Sequence, residues 1–143
     1  MSVNTTPIFS AAGQISWPTT VLTAANTSYD CSTGTSASVI TGTASGSFIQ
    51  RLRFKASGST NPTVARIFIN NGGSSTNAAN NILFDEVTLA ATTASPLSAT
   101  TVYELPMNLA LPAGYQILAT LAVSQNTTGG WYVSAIGGSY VPQ

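Results

Sequence analysis

Arg51, Arg53 and Lys55 fall at alternate positions of one segment and make up three of the four cations in this 143-residue sequence. In an extended chain that spacing projects all three from one face, about 6.6 Å apart. Such a stripe offers several charge-assisted contacts to an acidic protein surface. The acids are as few: Asp30, Asp85, Glu86 and Glu104. Two carboxylates about 5–10 Å apart across a cleft would make the acid and base of a glycosidase, and Asp85 or Glu86 with Glu104 is the pair to consider. Neighbours along a strand point to opposite faces, so Asp85 and Glu86 do not line one cleft together. Four acids also leave little redundancy for positioning a sugar. They are expected instead as cross-strand partners of Arg51, Arg53, Lys55 or Arg66.

Other catalytic chemistry lacks its parts. There is no histidine, and Cys31 is the only cysteine. Its nearest charge in sequence is the anion Asp30, which disfavours a thiolate, so it reads as a small packed residue. A serine nucleophile would need Lys55 as its base, and no Ser-x-x-Lys pattern surrounds that residue. No grouping of His, Cys and carboxylates has metal-ligand spacing. The expectation is a protein that is not an enzyme and takes no cofactor and no metal. Trp17, Trp131, Tyr115, Tyr132 and Tyr140 could form a stacking platform for sugars, although aromatics alternating along strands more often belong to a core or an interface.

Composition narrows the class further. Net charge is zero, which argues against nucleic-acid binding, where affinity comes from many phosphate contacts. No apolar run approaches the roughly 18 residues of a membrane helix, and the N-terminal residues lack the basic and apolar regions of a secretory signal. Synthesis in the cytoplasm and no membrane partner are expected. Low charge weakens the repulsion that keeps free monomers apart, which suits a subunit of a large assembly.

The elements that must position these residues are all strands. Helical periodicity is absent, and short β-branched and aromatic segments recur between turn clusters, the spacing of an antiparallel sandwich or barrel. About eight strands are expected. Pro18 opens the first at residues 19–25, which leaves residues 1–17 as an N-terminal arm and residues 18–143 as a single domain. Strands follow at 36–41 and 47–56, the latter with Phe48, Leu52, Phe54 and Ala56 facing the core and Ile49, Arg51, Arg53 and Lys55 facing out. A turn at 58–62 predicts a hairpin with 64–70, where Ala65, Ile67 and Ile69 share a face. A surface loop is expected over 70–80, a strand over 82–90 and a loop over 92–100. Tyr103, Leu105, Met107, Leu109 and Leu111 alternate, Pro112-Ala113-Gly114 turns, and Tyr115, Ile117, Ala119, Leu121 and Val123 alternate again, which predicts an antiparallel pair. Trp131, Val133 and Ala135 mark the last strand, which Gly137-Gly138 ends.

The segment LPAGYQILATLAVSQNTTGGWYVSAIGGSY at 111–140 resembles one found in capsid decoration or cement proteins of tailed bacteriophages. The shared pattern is a Leu-Pro-Ala-Gly turn (Leu111 to Gly114), a strand, a polar loop, a Gly130-Trp131 strand and a Gly137-Gly138-Ser139-Tyr140 end. The resemblance implies a jelly-roll sandwich on the outer capsid surface of the virion, bridging subunits of the major capsid protein, itself a dimer or trimer, and stabilising the shell. It implies no catalytic residue. In that role the arm is the reaching element, with Ile8, Phe9, Ile15 and Trp17 docking on a neighbour, and Arg51, Arg53 and Lys55 form a second contact. The competing expectation is a phage fibre, receptor-binding or carbohydrate-binding module, which the same fold class and aromatics would serve.

Overall fold

β-Branched and aromatic residues at alternate positions build eight strands in the computed structural model, which describes residues 12–17, 20–126 and 128–140. They are β1 (Ala12–Ile15), β2 (Ala37–Thr41), β3 (Ser47–Ala56), β4 (Thr63–Asn70), β5 (Asn81–Leu89), β6 (Val102–Leu111), β7 (Gln116–Leu121) and β8 (Trp131–Ser139). Two antiparallel four-stranded sheets form, with orders β1-β8-β3-β6 (sheet 1) and β2-β7-β4-β5 (sheet 2). The all-β sandwich of about eight strands is therefore as expected. Its core lies between the sheets, where Ile49, Leu52 and Phe54 of sheet 1 face Ala65, Ile67, Ile117 and Leu121 of sheet 2, all fully buried.

Strand partners differ from the expectation. Among the described strands, β4 and β5 are the one pair consecutive in sequence that hydrogen-bonds. The expected hairpin of 47–56 with 64–70 does not form, because β3 belongs to sheet 1 and β4 to sheet 2. Likewise β6 and β7 lie in different sheets, and the Pro112-Ala113-Gly114 turn carries the chain across the sandwich. Alternating apolar residues specify a strand with one buried face. They do not say whether the next such strand sits beside it or opposite it, since both arrangements bury the same face.

The N-terminal boundary also moves. Ala12–Ile15, expected in the arm, pairs with β8 from Ala12 opposite Ser139 to Ile15 opposite Ile136. Ser16 continues the contact, donating its N–H to the Ala135 carbonyl at 2.9 Å and accepting the Ala135 N–H on its hydroxyl at 2.6 Å. This edge strand is held by backbone bonds and is largely exposed, so no apolar pattern marks it. The strand expected at 19–25 is reduced to single bridges, Leu22 to Trp131 in sheet 1 and Ala25 to Leu121 in sheet 2. Three residues later than its first anchor the segment has changed sheets, which closes one end of the sandwich and leaves no length for a ladder.

A β-bulge decides which way the β3 side chains point. Between Ile49 and Arg51 the register slips against both neighbours: β8 advances one residue, from Gly137 to Ile136, while β6 advances three, from Leu109 to Pro106. Asn108 takes up the extra β6 residue with φ +46°, a conformation asparagine tolerates better than most residues. The slip turns Ile49 into the core, fully buried, and corrects its expected place on the cationic face.

Sheet 2 is covered on its outer side as well. Phe68 and Leu118 pack there under Cys31, with Leu83 alongside. The covering segment is held by the buried Asn26, whose side chain accepts from the Ser28 N–H and hydroxyl at 3.0 and 2.8 Å. Burial pushes the Cys31 thiol pKa up. Labelling by a soluble disulfide reagent at pH 8 is therefore expected to run at least about tenfold slower in the folded protein than in urea; equal rates would show the cover to be open.

Candidate protein-contact site

Register, set by the bulge, assembles one face from four strands. On the outer side of sheet 1 the cations of β3 stand in rows with their neighbours: Ile15, Ile136, Arg51 and Pro106; then Ser134, Arg53 and Glu104; then Tyr132, Lys55 and Val102. Ile15 is 73% exposed, and Tyr132 and Val102 are exposed in the row of Lys55. The face thus combines a central cationic stripe with exposed apolar residues on the flanking strands.

The three cations differ in freedom. Arg51 meets the Glu104 carboxylate at 3.4 Å, both side chains half-exposed. Lys55 donates from Nζ to the Thr100 carbonyl at 2.6 Å, a neutral partner that leaves its charge in place. Arg53 is exposed and makes no ion pair among the described residues. An exposed pair such as Arg51–Glu104 contributes about 0–1 kcal/mol, so a partner can re-aim it at little cost.

The remaining charges lie on sheet 2 and on the segment that covers it. Arg66 on β4 is buried, donates from Nε to Glu86 at 3.0 Å and from Nη1 to the Asn26 carbonyl at 3.3 Å, and places its guanidinium 3.9 Å from the centre of the Tyr29 ring. Asp85 and Glu86 sit on β5, the edge of sheet 2, and Asp30 on the segment that covers this sheet. The Ser32 hydroxyl and N–H donate to the Asp30 carboxylate at 2.6 and 2.9 Å and hold its pKa below the usual value. The expected cross-strand pairing of acids with arginines is realised twice, as Arg66–Glu86 and Arg51–Glu104. Glu104 and the Asp85-Glu86 pair belong to different sheets.

Of the residues expected to make contacts, the structure brings Ile15, Arg51, Arg53 and Lys55 onto one face. Trp17, 87% exposed, stands at the rim of a separate cavity of about 310 Å³ lined also by Thr20, Ser38 and Val133. Ile8 and Phe9 lie outside the described residues. Tyr132, Ile136 and Val102 complete the face. Alternation against the buried Trp131, Val133 and Ala135 was the sequence signal for the first two. The five-aromatic platform is not assembled: Trp131 is fully buried, edge-on to Tyr103 with centroids 5.8 Å apart, and Tyr115 and Tyr140 are half-buried. No protein-family model, curated protein or solved structure matches the chain.

Proposed function

We propose that this chain is a structural virion protein that decorates and cements the capsid of a tailed bacteriophage, bridging subunits of the major capsid protein on the outer surface. The observation that carries the reading is the outer face of sheet 1, where three of the molecule's four cations meet exposed Ile15, Tyr132 and Val102. Such a face is built to meet protein, and the chain is otherwise poor in ions. The strand order supports a jelly-roll reading, since seven connections that cross between sheets at all but one step give that winding, which recurs in capsid and lectin domains. A fold hosts many functions, so the winding adds to the reading without carrying it.

Cementing is mechanical in this proposal. Each copy adds modest contacts across a boundary between capsid subunits, and many copies on one shell act with the avidity of linked sites. The chain has no catalytic part in it and needs no cofactor; it is made in the host cytoplasm and joins the shell there. The test is co-sedimentation with empty heads of the phage that encodes it, followed by heating with and without the protein. Saturable binding that raises the disruption temperature is expected. Shells that bind none of it would overturn the proposal. One observation favours a carbohydrate-binding module instead, the exposed Trp17 indole over a cavity with hydroxyl-bearing walls. Binding of neutral glycans that quenches Trp17 fluorescence, with no shell binding, would decide for it.

A further inference from the structure

The sandwich is electrically two-sided. Sheet 1 carries Arg51, Arg53 and Lys55 against Glu104, three cations less one carboxylate, or +2; the sheet 2 side carries Arg66 against Asp30, Asp85 and Glu86, or −2. These eight are all the charged side chains of the sequence. A neutral total thus conceals a separation of charge between the outer face of sheet 1 and the β5 side of sheet 2, where Glu86 faces out against Arg66 and Asp85, opposite the core-facing Ile67, projects from the inner side of the exposed edge. Both poles also show apolar surface: Ile15, Tyr132 and Val102 at the positive one, and Ile82 (70% exposed) and Phe84 (46% exposed) beside Asp85 at the negative one. The register slip between Ile67 and Phe68 leaves Phe84 as the extra residue of β5, next to that acid.

We infer that the cationic face of sheet 1 docks on the acidic β5 side of a second copy of this chain, head to tail. The inference rests on the proposal that this face is a protein-contact surface, and it names the partner. Two cationic faces brought together would set +2 against +2, which opposes a face-to-face twofold contact through sheet 1. Opposite poles attract, and zero net charge leaves no overall repulsion to resist them. Different patches meeting in this way make a heterologous contact, which propagates into a ring or a row. On a shell, such a contact would tie neighbouring copies to each other while other surfaces hold the capsid.

Sedimentation velocity on the purified full chain tests this directly. Species larger than the monomer are expected at about 0.01 M salt and are expected to dissociate at about 1 M, where screening shortens the reach of charge from about 30 Å to about 3 Å. Arg53→Glu brings the positive face from +2 to 0, and Asp85→Lys brings the negative side from −2 to 0. Both residues are exposed, so both variants are expected to fold, with melting and circular dichroism as the check. Lys55→Gln and Asp30→Asn repeat the test on the same two faces in smaller steps. Each variant alone is expected to be monomeric. Mixed, they are expected to form 1:1 pairs that grow no further, because each retains one working pole and the two are complementary. Wild-type protein that is monomeric at low salt overturns the inference, as do variants that associate like the wild type or a mixture without pairs. Shell binding separates the two proposals: a monomeric wild type that binds shells and loses binding on R53E removes the second copy as partner and keeps the contact face. A monomeric wild type whose shell binding is unaffected by R53E removes the face from both proposals.

Discussion

Trp131→Ala is expected to lower the unfolding free energy by about 3–5 kcal/mol, the range for deleting a large buried aromatic. Trp131 is fully buried and opens β8, where it stands opposite Ala56 of β3. Its backbone bonds to Leu22 in both directions at 3.0 Å, and its ring meets Tyr103 of β6 edge-on. The residue therefore joins three strands of sheet 1 to the segment that closes the end of the sandwich, its backbone holding the segment and its ring filling the core beside Tyr103. Removing it leaves a cavity whose walls come from separate elements and are tied by hydrogen bonds elsewhere, so collapse is incomplete. At this chain length the loss corresponds to roughly 10–20 °C in Tm. Urea unfolding followed by circular dichroism measures it. Trp17→Ala is the control: its indole is 87% exposed, and the expected change is within about 0.5 kcal/mol. A comparable loss for both variants would contradict the division between a core and a surface tryptophan.

Sequence alone carries this division only in part. Alternation correctly places Trp131, Val133 and Ala135 inside, and it places Arg51, Arg53 and Lys55 outside, because beyond the bulge β3 is regular. The bulge itself left no apolar signature, so Ile49 reads as outward when the slip at Gln50 turns it inward. Periodicity is a property of one strand, whereas the slip belongs to three, and only their shared hydrogen bonding reveals it. Sheet membership is lost for the same reason. β3 and β4, or β6 and β7, bury the same faces whether they pair or oppose each other.

The outer face of sheet 1 shows where legibility ends. Three cations at alternate positions are visible in the sequence, as is the pairing of acids with arginines. That Ile15 stands in the same row as Arg51 depends on an edge strand with no apolar pattern, joined through β8. That Asp85 and Glu86 are kept away from the cationic stripe depends on β5 belonging to sheet 2. A net charge of zero is read from composition, but its separation into two poles exists only once the strands have been dealt between sheets.

Gly137→Ala is expected to destabilise the fold by about 3 kcal/mol or more, at the upper end of overpacking effects. A Cβ at this position would lie 2.0 Å from the Phe48 carbonyl oxygen and 3.0 Å from the Ile49 Cα. Both obstacles are backbone, so no side chain can rotate away, and the strands themselves must part. Gly137 stands opposite Ile49, where the β3 register slips, and a bulge brings backbone closer than a regular ladder does. The Gly137-Gly138 pair lies at the end of β8, as the sequence suggests, one residue before its last, Ser139, and Gly137 makes a close backbone approach there. Gly13→Ala on β1 is the matched control in the same sheet. A Cβ there meets nothing within 4 Å, and reducing the freedom of the unfolded chain is expected to leave stability unchanged or raised by about 0.4–1 kcal/mol. Denaturant midpoints of the two variants should therefore move in opposite directions or differ by most of the total. If Gly137→Ala costs less than about 1 kcal/mol, β8 does not run against the bulge as described, and the row that aligns Ile15, Ile136 and Arg51 on the contact face goes with it.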